Sequence, residues 1–128
     1  MDNFKTESKH IKDDEFILQK AVEDFMYESS RIMLKFPKHE KFVLAAKIRT
    51  LTYDLLELII RANKRYHKKT TIQDADITLG CIKSFLVVAY ELRYVSPKDY
   101  NLMVEQLSTV GKLLGGWMKW VKDNQPKS

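Results

Sequence analysis

The stretch Ser96 to Val121 reads SPKDYNLMVEQLSTVGKLLGGWMKWV, and its first four residues mark the start of a helix. Ser96 suits the N-cap, Pro97 suits the first helical position because an N–H there would have no partner, and Asp99 follows at the third. Apolar side chains then recur at steps of three and four: Tyr100, Met103, Leu107, Val110, Leu114, Trp117 and Val121. This spacing predicts an amphipathic helix over about 97–122.

Three further apolar stripes with the same spacing lie upstream. The first comprises Leu18, Val22, Phe25, Ser29, Ile32 and Phe36, the second Ala45, Ile48, Thr52, Leu55, Ile59, Ala62 and Tyr66, and the third Ile72, Ala75, Leu79, Ile82, Leu86 and Ala89. They predict helices over about 14–35, 38–66 and 72–95. Four such helices with short connections predict an all-α fold, an antiparallel up-down four-helix bundle over residues 14–122. Residues 1–13 and 123–128 lack this periodicity and are predicted to be flexible tails.

The composition agrees with one small helical domain. The 128 residues include only 4 Gly and 3 Pro, which argues against the many turns of a sandwich or barrel. A single cysteine excludes an intramolecular disulfide framework, and no apolar stretch resembles a signal peptide or a membrane span. We therefore expect a cytoplasmic protein without a membrane partner.

Sequence signals for catalysis are weak. The chain has no glycine-rich phosphate loop and no nucleophile elbow, and no two of His10, His39 and His67 share a helix face. We expect no catalytic residue, no metal site and no cofactor.

Positive charge is concentrated in the second predicted helix and its exit. Ten basic and three acidic residues lie between Lys35 and Lys69. Four of the basic residues are spaced i, i+3, i+4 and i+7, which places them on one face of a continuous helix: Arg61, Lys64, Arg65 and Lys68. The face is either a solvated surface, with cations favoured near a helix C-terminus, or a site for a polyanion.

Glycines interrupt the last predicted helix, although glycine lowers helix stability. Ser108, Gly111 and Gly115 share one face, so another backbone could approach closely there. The approaching element is either another helix of the same bundle or a second subunit. Trp120 lies beside the core stripe and adds apolar surface of the kind that marks association sites.

Two local strings are similar to those of a known group of helical bundles. Phe36-Pro37-Lys38 followed by Leu55-Leu56-Glu57-Leu58-Ile59-Ile60 resembles the four-helix-bundle family that includes proteins encoded in 23S ribosomal RNA intervening sequences. The ending Val110-Gly111-Lys112-Leu113-Leu114-Gly115-Gly116-Trp117 is more specifically similar to the accessory variability determinant (Avd) proteins of diversity-generating retroelements. The similarity spans about residues 32–121.

This resemblance implies a function that the periodicity alone does not give. Proteins of this type form a homopentameric ring of bundles with a basic surface. They bind the reverse transcriptase and RNA of the retroelement and support mutagenic cDNA synthesis without a catalytic site of their own. It implies RNA, DNA or a hybrid as a partner, and adds Arg49 and Lys83 to the binding candidates, which are then Arg49, Arg61, Lys64, Arg65, Lys68, Lys69 and Lys83. The alternative is a protein-interaction bundle of the intervening-sequence type without a reverse transcriptase partner.

Overall fold

Five α-helices and no strand make up the part of the chain described by a computed structural model, which covers the backbone of residues 2–124 and the side chains of residues 16–124. The helices are α1 (Asp2–Met33), α2 (Lys38–Lys41), α3 (Leu44–Lys64), α4 (Lys69–Glu91) and α5 (Pro97–Asn124). The four long ones form an all-α four-helix fold, as the sequence predicts.

The long helices are arranged in a ring around one core. α1 packs against α3 and α5, and α4 packs against the same two helices. Because α3 and α4, and then α4 and α5, are in contact and joined by short connections, each pair runs antiparallel. One end of the bundle therefore carries the α3–α4 connection and the other carries the α4–α5 connection.

The four predicted apolar stripes form this core. Every stripe residue is buried except two, Tyr66, which is exposed, and Tyr100, which is partly buried. Burial at three- and four-residue intervals turns one face of each helix inward and leaves its charged face outside. The hydrophobic pattern therefore positions the charged surface as well as the core.

The helix boundaries differ from the prediction at several points. α1 begins at Asp2, so residues 2–13, which the sequence predicts to be a tail, extend the helix; this segment contains neither Gly nor Pro. α4 begins at Lys69, three residues before the predicted start, and α5 ends at Asn124. The last four residues of the predicted C-terminal tail lie outside the described residues.

The predicted second helix is divided into α2 and α3. The break falls at Phe42 and Val43, and Val43 has φ −115° and ψ −82°. A straight helix in the register of the buried Leu44 and Ile48 would direct Lys41 toward the core, so the break keeps this charged side chain at the edge of the fold. It also leaves Phe42 and Val43 exposed.

No helix in the described part of the chain combines the length and the hydropathy needed to span a bilayer.

Candidate nucleic-acid interface

The connection between α3 and α4 concentrates positive charge at one end of the bundle. We call residues 61–69 the basic turn; they contain five cations, Arg61, Lys64, Arg65, Lys68 and Lys69. No acidic residue occurs between Glu57 and Asp74. The local potential is therefore positive along the chain on both sides of the turn.

The predicted face of four cations on one continuous helix is wrong. α3 ends at Lys64, and Arg65 is its C-cap with extended backbone, φ −96° and ψ 145°. Lys68 occupies the N-cap position of α4. The helix ends there because the chain must reverse direction within four residues to enter α4. The cations are gathered by a turn between two helices rather than by helical periodicity.

The contacts of these cations are few within the described residues. Arg61 Nη2 donates a hydrogen bond to Glu57 Oε1 at 2.7 Å, and both side chains are more than half exposed. Lys68 Nζ lies 5.5 Å from the centre of the Trp117 ring in α5, a cation–π contact. Lys64, Arg65 and Lys69 are exposed, with no ion pair to another described residue. Three of the five cations are thus accessible to an external anion.

Helix stability explains only part of this charge. Arg61 and Lys64 lie in the last turn of α3, where cations interact favourably with the helix dipole. Lys68 and Lys69 lie at the N-terminus of α4, where cations are unfavourable, and the first turn contains no acidic residue. No side chain caps this helix start. The lysines of α4 therefore stand where structural needs alone would favour the opposite charge.

The remaining two predicted binding residues lie away from the basic turn. Arg49 is half-buried in the first half of α3, about 18 Å along the helix from Arg61. Lys83 is about 21 Å along α4 from Lys69, and its Nζ lies 3.6 Å from the place of a Cβ on Gly111. The structure brings five of the seven candidates together and leaves Arg49 and Lys83 separate.

Sequence reasoning missed one residue of the basic turn. Tyr66 is predicted to be the last core residue of its stripe, but its side chain is 71% exposed. Its ring meets the His67 ring edge-on, with the centroids 4.8 Å apart. The density of cations around it was the available signal, because burying a turn that carries so many charged side chains is unfavourable.

The predicted association face lies along α5. Ser108 and Gly115 are exposed, while Gly111 and Trp120 are partly buried. A Cβ at Gly115 would have no atom within 4 Å, and a Cβ at Gly111 would meet Leu79 and Lys83 only at 3.6 Å. Packing among the described residues therefore does not require glycine at either position. This argues against the alternative that another helix of the same bundle crosses α5 closely there.

An open apolar groove of about 660 Å³ lies near the break between α2 and α3. It is lined mainly by exposed or partly exposed apolar residues, Phe42, Val43, Phe85, Val88 and Leu92, with Glu40 and Lys47 among the polar lining residues. The side chain of Phe42 is 86% exposed. The groove is at the end of the bundle remote from the basic turn, so the two surfaces are separate.

A family model matches most of the chain. Residues 16–121 match the model of a family described as bAvd-like, which covers most of the chain and agrees with the resemblance to Avd proteins. No curated protein matches the sequence.

Proposed function

Because this chain belongs to the bAvd-like family, we propose that it is a non-catalytic accessory subunit that binds the reverse transcriptase and RNA of a diversity-generating retroelement. Its binding to nucleic acid would support mutagenic cDNA synthesis by that polymerase. DNA and an RNA/DNA hybrid present the same phosphate charge and are also partners in this proposal.

One observation carries the nucleic-acid part of the proposal: the basic turn. Five cations within nine residues, with no carboxylate between Glu57 and Asp74, form a surface that attracts phosphates. Arg61 pairs with Glu57, and that ion pair is solvent-exposed. An exposed pair contributes little, about 0–1 kcal/mol, so Arg61 can exchange Glu57 for a phosphate.

The mechanism is electrostatic. Lysine and arginine side chains displace the counterions condensed on the phosphate backbone, which drives association without reading base edges. The first turn of α4 adds backbone N–H groups that no side chain caps, and such groups favour anions. Binding of this kind weakens steeply as the salt concentration rises.

A salt titration tests the proposal. We compare the wild type with the combined variant Arg61→Gln, Lys64→Gln, Arg65→Gln, Lys69→Gln, using fluorescence anisotropy of a labelled RNA oligonucleotide at several salt concentrations. Lys68 stays unchanged because it contacts Trp117. If the four cations contact phosphates, the slope of log K against log salt becomes shallower by about 3.

A matched control removes the same charge elsewhere. It replaces four exposed lysines outside the basic turn by glutamine: Lys38, Lys47, Lys98 and Lys112. We expect this variant to retain most of the wild-type slope. The proposal fails if the wild type binds RNA without any salt dependence, or if both variants lose affinity equally.

We further propose that the chain forms a homo-oligomer, with five subunits as the expected number, through α5. Ser108, Gly111 and Gly115 share one face of this helix, and Trp120 adds apolar surface beside the core stripe. The support is Gly115, where a Cβ would meet no atom of the described residues within 4 Å. A close subunit contact accounts for glycine at an exposed helical position where alanine would stabilise the helix by up to about 1 kcal/mol.

Light scattering after gel filtration tests this assembly. Gly115→Leu should lower the mass, because the new side chain occupies the subunit contact. Gly80→Leu is the control, since Gly80 is also an exposed helical glycine with no atom near its Cβ position. A monomeric wild type, or a Gly115→Leu protein of wild-type mass, would contradict the proposed interface.

The exposed groove at Phe42 and Val43 favours a second function, a protein-interaction bundle of the intervening-sequence type with no reverse transcriptase partner. In that case the basic turn is only a solvated surface. Copurification separates the two: the first function predicts that the protein retains RNA and the polymerase, and the second predicts neither.

A further inference from the structure

Tyr66 is an exposed aromatic residue in the middle of the basic turn. It follows Arg65, the C-cap of α3, and lies two residues before Lys68, the N-cap of α4. Its side chain is 71% exposed, although a tyrosine at the end of an apolar stripe would ordinarily be packed. Neither the core nor a helix explains this exposure.

The ring geometry leaves an aromatic surface open. The Tyr66 and His67 rings are inclined at 85°, with centroids 4.8 Å apart. In an edge-to-face pair one ring covers at most one face of the other. The His67 ring therefore leaves at least one face of the Tyr66 ring uncovered. The contact also restricts the motion of the Tyr66 ring, which reduces the entropy lost when a planar ligand stacks on it.

Two other exposed tyrosines differ from Tyr66 in their surroundings. Tyr27 is 73% exposed, but Asp24 and Glu28 lie three residues before it and one after it on α1. Tyr53 is adjacent to Asp54. Carboxylates beside these rings repel a phosphate backbone, whereas along the sequence the acidic residues nearest to Tyr66 are Glu57 and Asp74.

An open aromatic face among cations is the arrangement that recognises unpaired nucleotides. Proteins bind single strands by stacking bases on aromatic side chains while lysine and arginine contact the phosphates. A duplex offers only its phosphates at such a surface, because its bases are already stacked on each other. The same basic turn therefore distinguishes single strands from duplexes.

We propose that Tyr66 is a base-stacking residue, and that the basic turn consequently binds single-stranded nucleic acid in preference to duplex. The inference rests on the proposed nucleic-acid function and adds the class of strand that is bound. His67 positions the Tyr66 ring through their edge-to-face contact.

The test compares Tyr66→Leu and Tyr66→Phe with the wild type, using a labelled single-stranded RNA and its duplex form at one salt concentration. Tyr66→Leu should bind the single strand about tenfold more weakly and the duplex within twofold of wild type, with an unchanged salt slope because no charge is lost. Tyr66→Phe should keep the single-strand affinity, since the ring and not the hydroxyl stacks. Tyr27→Leu is the matched control and should bind both forms like the wild type.

The possible outcomes separate this inference from the proposed function. If the variant lacking the four cations loses RNA binding while Tyr66→Leu binds the single strand like the wild type, the stacking inference is wrong and the proposed function stands. If Tyr66→Leu weakens single-strand and duplex binding equally, the residue does not stack on bases. If the wild type binds neither form, both proposals fail.

Discussion

The two connections at the ends of α4 are similar in length and opposite in character. The α4–α5 connection, residues 92–96, is closed by specific hydrogen bonds at both helix ends. Asp99 N donates to Ser96 Oγ at 3.1 Å, which caps α5 as the sequence predicts. Arg93 N and Tyr94 N donate to the carbonyl oxygens of Tyr90 and Ala89, both at 2.9 Å, which closes α4.

Aromatic and ionic contacts add to these caps. Phe36 and Tyr94 have ring centroids 5.8 Å apart, and Tyr90 stacks on Tyr100 at 4.3 Å. Lys35 Nζ lies 3.2 Å from Asp99 Oδ2, which joins the end of α1 to the start of α5. This end of the bundle is held by contacts that depend on the identity of each residue.

The α3–α4 connection, residues 65–68, is closed differently. Arg65 N donates to the carbonyl oxygen of Ala62 at 3.4 Å, Tyr66 meets His67 edge-to-face, and Lys68 contacts the Trp117 ring. No side chain caps the start of α4, and Lys68 stands at its N-cap, where Ser or Asp would be more stable. The difference teaches that the start of α5 carries a side-chain cap that stabilises the helix, whereas Lys69 at the start of α4 occupies a position where the helix dipole favours the opposite charge.

The largest expected contrast concerns one aromatic residue from each end. Phe36→Ala removes a side chain that is 2% exposed, so we expect the free energy of unfolding to fall by about 3–5 kcal/mol. Tyr66→Ala should change it by less than about 0.5 kcal/mol, because the side chain is mostly in solvent. Urea unfolding followed by circular dichroism, at one protein concentration, measures both. Equal losses would mean that the basic turn is structural.

The next effect concerns the Ser96 cap. Ser96→Ala leaves the Asp99 N–H without its side-chain acceptor and should lower the free energy of unfolding by about 1 kcal/mol. Ser84→Ala, at an exposed position within α4, is the control and should be neutral or slightly stabilising. RNA affinity should be unchanged in both variants. A Ser96→Ala protein as stable as the wild type would show that the Ser96 cap does not stabilise the start of α5.

The two ends of the bundle also differ in how well the sequence predicts their structure. The four core stripes could be predicted because periodic burial is a local property of the chain. The start of α5 could be predicted because Ser96, Pro97 and Asp99 carry a specific boundary signal. By contrast, no Gly or Pro occurs between Pro37 and Gly80, so the breaks at Val43 and at Arg65 have no local marker.

The site was only partly predictable for the same reason. The cations of the basic turn could be identified from their density. Assigning Arg65 and Lys68 to one helix face, however, requires a helix that continues to Lys68, whereas α3 ends at Lys64. Tyr66 was assigned to the core because the apolar spacing continues past the helix end. Its exposure follows from the chain reversal, which is a tertiary property that periodicity does not report.

A smaller effect is expected at Arg93, which has φ 64° in the left-handed region. Arg93 takes the position after the C-cap of α4 where glycine is usual, and a side chain there raises the conformational energy. Arg93→Gly should therefore increase the free energy of unfolding by about 0.5–1 kcal/mol, measured by urea unfolding. Arg93→Ala keeps the Cβ and is the control that should not stabilise. A destabilised Arg93→Gly protein would show that the Arg93 side chain itself holds this end together.

The smallest change in stability is expected at Lys69. Its replacement should stabilise the fold while weakening RNA binding, and this combination distinguishes the basic turn from the capped end. Lys69→Glu places a negative charge in the first turn of α4, which the helix dipole favours, so the free energy of unfolding should rise by about 0.3–1 kcal/mol. The same change removes one cation from the basic turn, so the slope of log K against log salt for RNA should become shallower by about 1. Lys98→Glu in the first turn of α5 is the control, since it should gain similar stability without a change in RNA affinity. A residue whose replacement stabilises the fold and weakens binding is retained for the partner. If Lys69→Glu lowers both stability and affinity, Lys69 serves the fold, and the basic turn does not differ from the capped end in the way described.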